Sequence, residues 1–365
     1  MSRALTSERI VELARERGFA LAGVSPLSVS ERAAEFRAWL EAGKHGTMAY
    51  LAENESIRLE PARLLDGARS VIMVADQYAD RQDATDGAIE PGRGRIARYA
   101  RGRDYHKVIK KRLHELCDAL RAHEPGAGFR AFTDTAPVFE RELALKAGLG
   151  WIGKHTLLIH PERGSYLLLG GVMTTLELEP PRGQRVEPDH CGSCTRCIDA
   201  CPTGCISAYS VDASRCISYL TIERRRAIPA ERHAGIGDWV FGCDVCQEVC
   251  PHNSPRSDAW AREHESGINA AYAPVRDSFD LLAVLGWGED DRREAFTASA
   301  MKRATLAMMK RNALVVLGNQ VRAGMFHEQQ ARELRARIGE IARDAGEDEM
   351  VRETAGVVLR EIWGG

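Results

Sequence analysis

The stretch CGSCTRCIDACPTGCI, residues 191–206, holds five of the ten cysteines in this 365-residue chain. Its spacing, C-x2-C-x2-C-x3-C-P, is the one by which bacterial two-cluster ferredoxins bind iron–sulfur clusters. In that arrangement three cysteines hold one cluster and the fourth reaches its neighbour. A second run, C-x2-C-x3-C-P, starts at Cys243, and Cys216 lies between the two. Together they supply eight thiolates, which is enough for two [4Fe–4S] clusters.

Ferredoxin-type crossing predicts how these thiolates divide between two clusters. The first set is Cys191, Cys194, Cys197 and Cys250, and the second is Cys201, Cys216, Cys243 and Cys246. Cys205 could replace Cys216, but it follows Cys201 closely in an apparent helical turn. We therefore interpret Cys205 as a small buried residue beside the cluster, and Cys117 as a core residue.

Other uses of these sulfurs fit the spacing less well. Zinc prefers C-x2-C pairs separated by a longer loop, and it would leave a surplus ligand in the three-plus-one run. A single cluster would suffice to brace a fold, whereas two adjacent clusters suit the transfer of single electrons. The cysteine pattern thus predicts electron transfer.

Composition limits the remaining classes of function. The net charge of −2 excludes a generally basic nucleic-acid binder, although it permits a local basic patch. No apolar run approaches the roughly 20 residues that span a bilayer, and the start lacks the layout of a signal peptide. We expect a cytoplasmic protein with no membrane association and reduced thiols, and nothing in the sequence demands more than a monomer.

The chain divides into three segments by pattern. Residues 1–180 mix strand and helix signals, which predicts an α/β sandwich, or α+β domain, with a mixed sheet. Residues 181–260 form the ferredoxin-like segment. Residues 277–365 read as helical throughout, and these helices resemble HEAT-type repeats, which bind long partners. A helical bundle that caps the core fits the same pattern equally well.

The first segment carries no recognisable nucleotide-binding loop. No G-x-G-x-x-G sequence follows a strand there, so a Rossmann site has no support. The triplet at Asp104–His106 partly matches the D-x-H-x-x-G signature by which some proteins donate a histidine to cobalamin, but the glycine position is Ile109. That motif is therefore absent.

Several longer motifs closely resemble the epoxyqueuosine reductase family, the cobalamin-dependent iron–sulfur enzymes of queuosine biosynthesis. In chain order they are RYARGRDYHKVIKKRL, FTDTAPVFERELALKAGLGWIGKHTLLI, CGSCTRCIDACPTG, CISYLTIE, GDWVFGCDVCQEVCPHN and AMMKRNALVVLGN. The resemblance covers essentially the whole chain. Two positions depart from it, because His155 replaces an expected asparagine and His252 an expected tryptophan, which affects only local packing or cofactor contacts.

This resemblance implies a reduction on RNA. The family converts the epoxide of epoxyqueuosine, at the wobble position of certain tRNAs, into queuosine and water. It implies a base-off cobalamin without a histidine ligand from the protein, two [4Fe–4S] clusters that relay single electrons to the cobalt, and an external electron donor. Asp134 occupies the family's proton-donor position, and we expect burial beside the corrin to raise its pKa. Without the resemblance, an aspartate before a threonine would be read as a cap or turn residue.

The same resemblance predicts contacts to cofactor and RNA. The predicted cobalamin contacts are Arg58, Tyr99, Arg103, Asp134, Trp151, Gly153, Lys154, His155 and Asp244. The predicted contacts to the tRNA anticodon stem-loop are Tyr219, Arg224, Arg225, Lys302, Arg303, Lys310 and Arg311. A basic strip with an aromatic residue suits unstacked bases and phosphates, although many such charges are only solvated surface.

Two other functions share part of this pattern. A corrinoid reductive dehalogenase would use the same cofactor and twin clusters, but we expect a twin-arginine leader there and no basic helical tail. A ferredoxin-like electron carrier would need neither Asp134 nor an α/β domain of about 180 residues.

Overall fold

The computed structural model describes residues 5–81, 87–255 and 268–364, so the end of the predicted cluster segment, residues 256–260, lies outside the described residues. Its α-helices are α1 (Ser7–Glu16), α2 (Ala33–Glu41), α3 (Tyr50–Glu53), α4 (Glu55–Leu59), α5 (Tyr105–His123), α6 (Glu140–Lys146), α7 (Arg196–Asp199), α8 (Ile217–Ile222), α9 (Ala230–Ile236), α10 (Val245–Glu248), α11 (Leu281–Gly286), α12 (Glu289–Ala295), α13 (Leu306–Arg322), α14 (Glu328–Arg343) and α15 (Glu349–Trp363). Its strands are β1 (Leu21–Pro26), β2 (Ser70–Gln77), β3 (Arg93–Ile96), β4 (Phe129–Phe132), β5 (Trp151–Ile152), β6 (Leu158–Ile159), β7 (Leu167–Thr174), β8 (Ile206–Ser207), β9 (Ser210–Val211), β10 (Trp239–Phe241) and β11 (Ser278–Asp280).

A four-stranded sheet in the order β1-β2-β7-β4 forms the centre of the first segment. Every neighbouring pair in it is antiparallel, so the predicted mixed sheet is wrong. Strand β2 is buried along its whole length because its two faces meet different cores. Ile72 and Val74 pack under α1 and α5, while Val71 and Met73 pack under α6. Burial on both faces explains why this strand appears in the sequence as a continuous apolar run.

A second sheet joins the three segments that the sequence pattern separates. Strand β3 lies at its centre, parallel to β10 and antiparallel to β11. The C-terminal segment is therefore not helical throughout, because it enters through strand β11. Gly94 permits the close packing here, since an added Cβ would lie 2.6 Å from Leu281 Cδ2 and 2.9 Å from Val240 Cβ.

The C-terminal helices pack around α13, which contacts both α15 and the cluster-bearing segment. Thr305 caps α13 by accepting a hydrogen bond from the backbone N–H of Met308. Asn312 on this helix donates to the carbonyl oxygens of Thr221 and Val240, at 2.9 Å each. The helical segment is thus part of a shared core, and its HEAT-like character stays a prediction. No helix among the described residues combines the length and apolar character needed to cross a membrane.

Candidate active site and cluster ligands

The two cysteine groups meet where the short helices α7 and α10 pack against each other. In each group a Cys-Pro pair follows the helix, at Cys201 and at Cys250. Because proline has no backbone N–H and cannot continue a helix, each chain turns away at this point. The last cysteine of each run, Cys201 or Cys250, is thereby separated from the three or two that precede it.

Cys250 lies with the first group, as ferredoxin-type crossing predicts. Its side chain is buried with Trp151 and Ile159, and Cys191 packs against this small cluster. Burial raises the pKa of the Cys250 thiol to about 11, and the thiols of Cys191, Cys197 and Cys194 add to the rise. The structure therefore brings together the four cysteines predicted for the first cluster.

The second group is assembled in the same way. Burial raises the pKa of the Cys246 thiol well above its usual value, and the neighbouring thiols of Cys216, Cys197 and Cys201 contribute. Burial likewise raises the pKa of Cys243, next to Cys246 and Cys216. Cys205 is buried, as predicted, and its Sγ lies 3.4 Å from the Sγ of Cys201. Two sets of four thiols, with one thiol to spare, match the donor chemistry of two [4Fe–4S] clusters.

Asp134 lies two residues beyond strand β4, with a backbone φ of +45°. Aspartate is one of the few residues other than glycine that adopts this left-handed conformation readily. The backbone N–H of Asp134 donates to the carboxylate of Glu140, and Asp134 Oδ2 lies 2.8 Å from His106 Nε2. The Asp134 side chain is 52% exposed, so it faces solvent while it is anchored on both sides.

His106 links two carboxylates. Its Nδ1 lies 2.8 Å from Oδ1 of Asp104, the N-cap residue of α5, and its Nε2 meets Asp134. The ring also stacks on Tyr105, with 4.0 Å between centroids. Burial lowers the pKa of His106, but its hydrogen bonds to Asp104 and Asp134 outweigh burial and raise it to about 9. At neutral pH His106 is therefore an imidazolium between two carboxylates.

The pKa of Asp134 differs from the sequence-based expectation. Burial acts to raise this pKa, but hydrogen bonds from His106 and Tyr105 and the positive charge of His106 outweigh it and lower the pKa below its usual value. The expected rise depends on burial beside a corrin, whereas in this structure a cationic partner in contact with the carboxylate outweighs burial, so the effect of a bound corrin stays a prediction. The proton of this pair consequently resides mainly on the imidazole.

Glu140 adds a second acid beside the pair. Burial raises its pKa to about 8, and the negative charge of Asp134 adds to the rise. Glu140 is therefore largely protonated at neutral pH while it accepts the Asp134 backbone N–H. The site thus contains an imidazolium in contact with the Asp134 carboxylate and a neutral carboxylic acid that holds the Asp134 backbone.

One edge of this site is formed by what we call the Tyr50 rim, which consists of Tyr50, Glu223 and Arg303. The Arg303 guanidinium lies 5.2 Å above the centroid of the Tyr50 ring and forms an ion pair with Glu223. Tyr50 is 38% exposed. The rim joins all three sequence segments and places a cation and an aromatic ring at the edge of the site.

Some predicted cobalamin contacts lie near Asp134. Tyr99 is half-buried against Tyr105, and burial and the charge of Asp134 both raise its pKa. Arg58 is half-buried, and its Nε has no hydrogen-bond partner among the described residues. Arg103 is exposed and is fixed through its backbone N–H, which donates to Ala271.

The remaining predicted cobalamin contacts lie toward the cluster groups. Asp244 is buried and accepts a 2.7 Å hydrogen bond from the backbone N–H of Arg98. His155 is buried too, and burial lowers its pKa to about 4, so its ring is neutral. Its Nε2 has no partner among the described residues. Gly153 is buried beside Ile159, where an added Cβ would lie 2.4 Å from Ile159 Cδ1.

Trp151 and Lys154 support the first cysteine group. The Trp151 ring is buried between the rings of His190 and His252, each at 4.7 Å between centroids in an edge-to-face arrangement. The Lys154 ammonium donates to the carbonyl oxygens of Gly192, at 2.6 Å, and Cys194, at 3.0 Å. The Lys154 ammonium thus braces the loop of the first cysteine group, and its contact with a cofactor stays a prediction.

The prediction that Arg311 contacts RNA is also wrong. Arg311 is fully buried, and its guanidinium donates to the carbonyl oxygens of Arg224, Arg226 and Leu220 at 2.6–2.7 Å. Burial lowers its pKa to about 9. Arginine carries five donors in a fixed fork, which suits it to hold three carbonyl groups at once. Arg311 fixes the chain that follows α8 instead of facing a partner.

Two further predicted RNA contacts are directed into the protein. The Tyr219 side chain is 4% exposed, and its hydroxyl lies 2.9 Å from both the backbone N and the Oγ1 of Thr47. The Lys310 ammonium is buried and donates to Glu347 at 2.7 Å. Both predictions fail for the same reason, since the face of α8 and α13 that looks basic or aromatic in the sequence packs inward.

The other predicted RNA contacts remain accessible. Arg225, Lys302 and Arg303 are exposed, and Arg224 is half-buried with its Nε donating to the carbonyl of Ala227 at 2.8 Å. They lie on two segments that meet at the Tyr50 rim, since Arg303 pairs with Glu223 next to Arg224. RNA contact at these four positions stays a prediction.

The sequence does not predict a role for His106, Glu140, Tyr50 or Glu223. The Asp104–His106 triplet was compared only with a cobalamin-ligand signature, although an aspartate directly before a helix also signals an N-cap. Tyr50 and Glu223 carry no local signal, because they come together only through the fold.

An α+β domain that holds an acid–imidazole pair, joined to two groups of four thiols, defines a redox enzyme with two iron–sulfur clusters. Comparisons with known proteins agree. The family model described as "4Fe-4S double cluster binding domain" matches residues 190–253, and the model described as "Epoxyqueuosine reductase QueG" matches residues 58–135.

Whole-chain comparisons identify the family. The chain is 40% identical to an epoxyqueuosine reductase of Pseudomonas aeruginosa, over 86% of this chain and 85% of that protein. It is 38% identical to the one of Escherichia coli, over 86% and 81%. A crystal structure of a selenomethionine-labelled epoxyqueuosine reductase superposes with a TM-score of 0.82 at 25% identity, over 97% of this chain and 90% of that one. The chain belongs to the epoxyqueuosine reductase family.

Proposed function

We propose that this chain reduces epoxyqueuosine to queuosine in tRNA. The observation that carries the proposal is the Asp134–His106 pair, held beside two sets of four thiols in a member of this family. Converting an epoxide into a carbon–carbon double bond consumes two electrons and two protons and releases one water. The site must therefore bring electrons and protons to the same place.

The electron path consists of the two proposed clusters. Cys191, Cys194, Cys197 and Cys250 would hold the first, and Cys201, Cys216, Cys243 and Cys246 the second. Their grouping by proximity supports this division. An external donor would supply the electrons to the clusters one at a time, because the cluster ligands themselves provide no electrons.

The electrons would pass to cobalamin, which supplies a strongly nucleophilic Co(I) centre when it is bound. Arg58, with an unpaired Nε among the described residues, and Tyr99 would hold it on the Asp134 side. His155 Nε2, also unpaired there, and Asp244 would meet it on the cluster side. These polar atoms suit the amide groups around a corrin ring. Arg103, Trp151 and Gly153 complete the proposed surroundings.

Binding without a histidine ligand agrees with the geometry of His106. Both of its ring nitrogens are occupied, Nδ1 by Asp104 and Nε2 by Asp134. A metal ligand needs a free ring nitrogen, so His106 as placed does not offer one. We accordingly propose that the residues of this site would hold the cofactor without a histidine ligand from the protein, and the base-off form is carried over from the family resemblance alone.

Asp134 would deliver the proton that opening of the epoxide requires. His106 holds this proton at Nε2 against Asp134 Oδ2, and the carboxyl oxygen passes it to the epoxide oxygen as the C–O bond breaks. A Bacillus subtilis epoxyqueuosine reductase, 25% identical with a TM-score of 0.81, has a structure with its catalytic aspartate loop swung out of the active site. The positive φ of Asp134 in a turn after β4 fits a loop with two positions.

The substrate would enter past the Tyr50 rim. A related structure, 25% identical with a TM-score of 0.81, is that of an epoxyqueuosine reductase with an epoxyqueuosine-modified tRNA stem-loop. Arg225, Lys302 and Arg303 are exposed cations beside this opening, and Tyr50 offers a ring on which a base can stack. We further propose that the protein acts as a monomer in the cytoplasm, which size-exclusion chromatography and cell fractionation test directly.

The test is an anaerobic assay with tRNA that carries epoxyqueuosine, protein loaded with iron and cobalamin, and a chemical reductant. Nucleosides from digested tRNA are separated and identified by mass, and queuosine should replace epoxyqueuosine. Asp134→Asn should bind cobalamin and tRNA but form queuosine about 10²–10⁴ times more slowly. A fully loaded enzyme that forms no queuosine contradicts the proposal. Protein with iron–sulfur absorbance that binds no cobalamin would favour an electron carrier instead.

A further inference from the structure

Five thiols lie together in the second cysteine group, although one [4Fe–4S] cluster binds four. The additional thiol is Cys205, whose side chain is 5% exposed. Its Sγ lies 3.4 Å from the Sγ of Cys201, and it also contacts the thiol of Cys216. A small core residue explains the burial of Cys205, but it does not explain why the sulfur faces two predicted cluster ligands.

The chain around Cys205 is fixed, so this placement is built into the fold. Gly204 adopts a φ of +56°, which returns the chain toward Cys201 directly before Cys205. The carbonyl of Cys205 accepts from the backbone N–H of Asp212 at 2.8 Å, at the base of the β8–β9 hairpin. Arg215 holds the other side of the turn by donating to the Thr203 carbonyl at 2.8 Å.

We propose that Cys205 is a reserve ligand of the second cluster, able to take the iron site of Cys201. Both residues offer a thiolate donor. Their sulfurs lie 3.4 Å apart, which is within the reach of a cysteine side chain that rotates about its own bonds. In the exchange the Cys205 thiol releases its proton to solvent, and its thiolate forms the Fe–S bond that Cys201 no longer makes. No electron is transferred. The proposal rests on the two-cluster part of the proposed function and is independent of the reaction on tRNA.

The test measures iron, acid-labile sulfide and the electron paramagnetic resonance spectrum of reduced protein after anaerobic reconstitution of the full chain. Wild type should contain about eight irons per chain. Cys201→Ala should keep about eight, with a changed spectrum for the second cluster. Cys205→Ala should keep about eight with the wild-type spectrum, and the double variant should fall to about four. Cys243→Ala is the matched control and should fall to about four, because no sulfur in the described part of the chain lies at 3.4 Å to replace it.

Each outcome decides the proposal. Cys201→Ala that falls to about four irons overturns it, as does a double variant that keeps eight. Cys205→Ala that falls to about four would show that Cys205 is a regular ligand, which also overturns a reserve role. The signal of the first cluster, held by other residues, reports that each variant is folded. Since none of these measurements uses tRNA or cobalamin, failure here leaves the proposed reaction untouched, and failure of the reaction leaves this result standing.

Discussion

Replacing His106 tests the acid–imidazole pair directly. His106→Gln keeps a polar side chain of similar reach but removes the positive charge and the proton held at 2.8 Å from Asp134 Oδ2. A hydrogen bond between charged groups contributes about 1.5–3 kcal/mol. If that bond positions and supplies the transferred proton, its loss should slow the reaction by about 10- to 150-fold, at about 1.36 kcal/mol per factor of ten.

The pH dependence of the rate separates proton supply from simple structural support. In the wild type the pKa of His106 is about 9, so the imidazolium persists through neutral pH and the rate should fall as pH rises through about 9. In His106→Gln only a carboxyl group remains as proton source next to the epoxide. The alkaline fall should therefore move to lower pH. The measurement is single-turnover formation of queuosine, from pH 6 to about 10, under anaerobic conditions.

His114→Gln is the matched control, because His114 is an exposed histidine on the same helix α5. It should leave both the rate and the pH profile unchanged. A His106→Gln enzyme that is slower by the same factor at every pH, with its alkaline fall still near 9, would refute the proton-supply role. It would reduce His106 to a residue that only positions Asp134.

Three further predictions concern the interior, the rim and the clusters. Arg311→Ala should destabilise the protein by roughly 3 kcal/mol or more, because it leaves three carbonyl groups without a donor. Arg337→Ala, at an exposed position of α14, should change the unfolding midpoint little. Arg303→Ala should weaken binding of the tRNA stem-loop and lower the slope of log affinity against log salt concentration by about one released counterion. Fluorescence anisotropy at several salt concentrations measures both effects, and Arg337→Ala should show neither. Cys250→Ala should halve the iron content by removing the first cluster, and a full complement of iron would contradict the crossing of ligands.

Much of the architecture can be predicted from the spacing of apolar residues along the sequence. The apolar run of β2 and the amphipathic repeat of α5 are visible in the sequence because each element buries whole faces. The sheet direction was not predictable in the same way. Strands buried on both faces appear equally apolar in parallel and antiparallel sheets, so β2 alone could not distinguish them.

The features of the site likewise divide into those that the sequence predicts and those that depend on contacts made only in the fold. The cluster cysteines were predicted because loop spacing alone limits how thiolates can wrap a cluster. Asp134 came from family resemblance, and its pKa could not follow from sequence, since it depends on contact with His106 from another element. The prediction that Arg311 contacts RNA is wrong for a different reason. A charged residue in a basic run is usually exposed, and only the carbonyl groups left open after α8 explain why this one is buried.

The three-stranded sheet explains how parts that are distant in sequence act on one site. Strand β3 leads directly into the segment that carries Tyr99 and His106, and β10 leads directly into the second cysteine group at Cys243. Pairing these two strands joins the segment that carries His106 to the segment that carries Cys243 through backbone hydrogen bonds. Strand β11 adds the C-terminal segment, which supplies Arg303 to the rim. Because one short strand leads to His106 and pairs with the strands that lead to Cys243 and to Arg303, disturbing β3 should affect the surroundings of all three residues at once, whereas changes within any one segment should not.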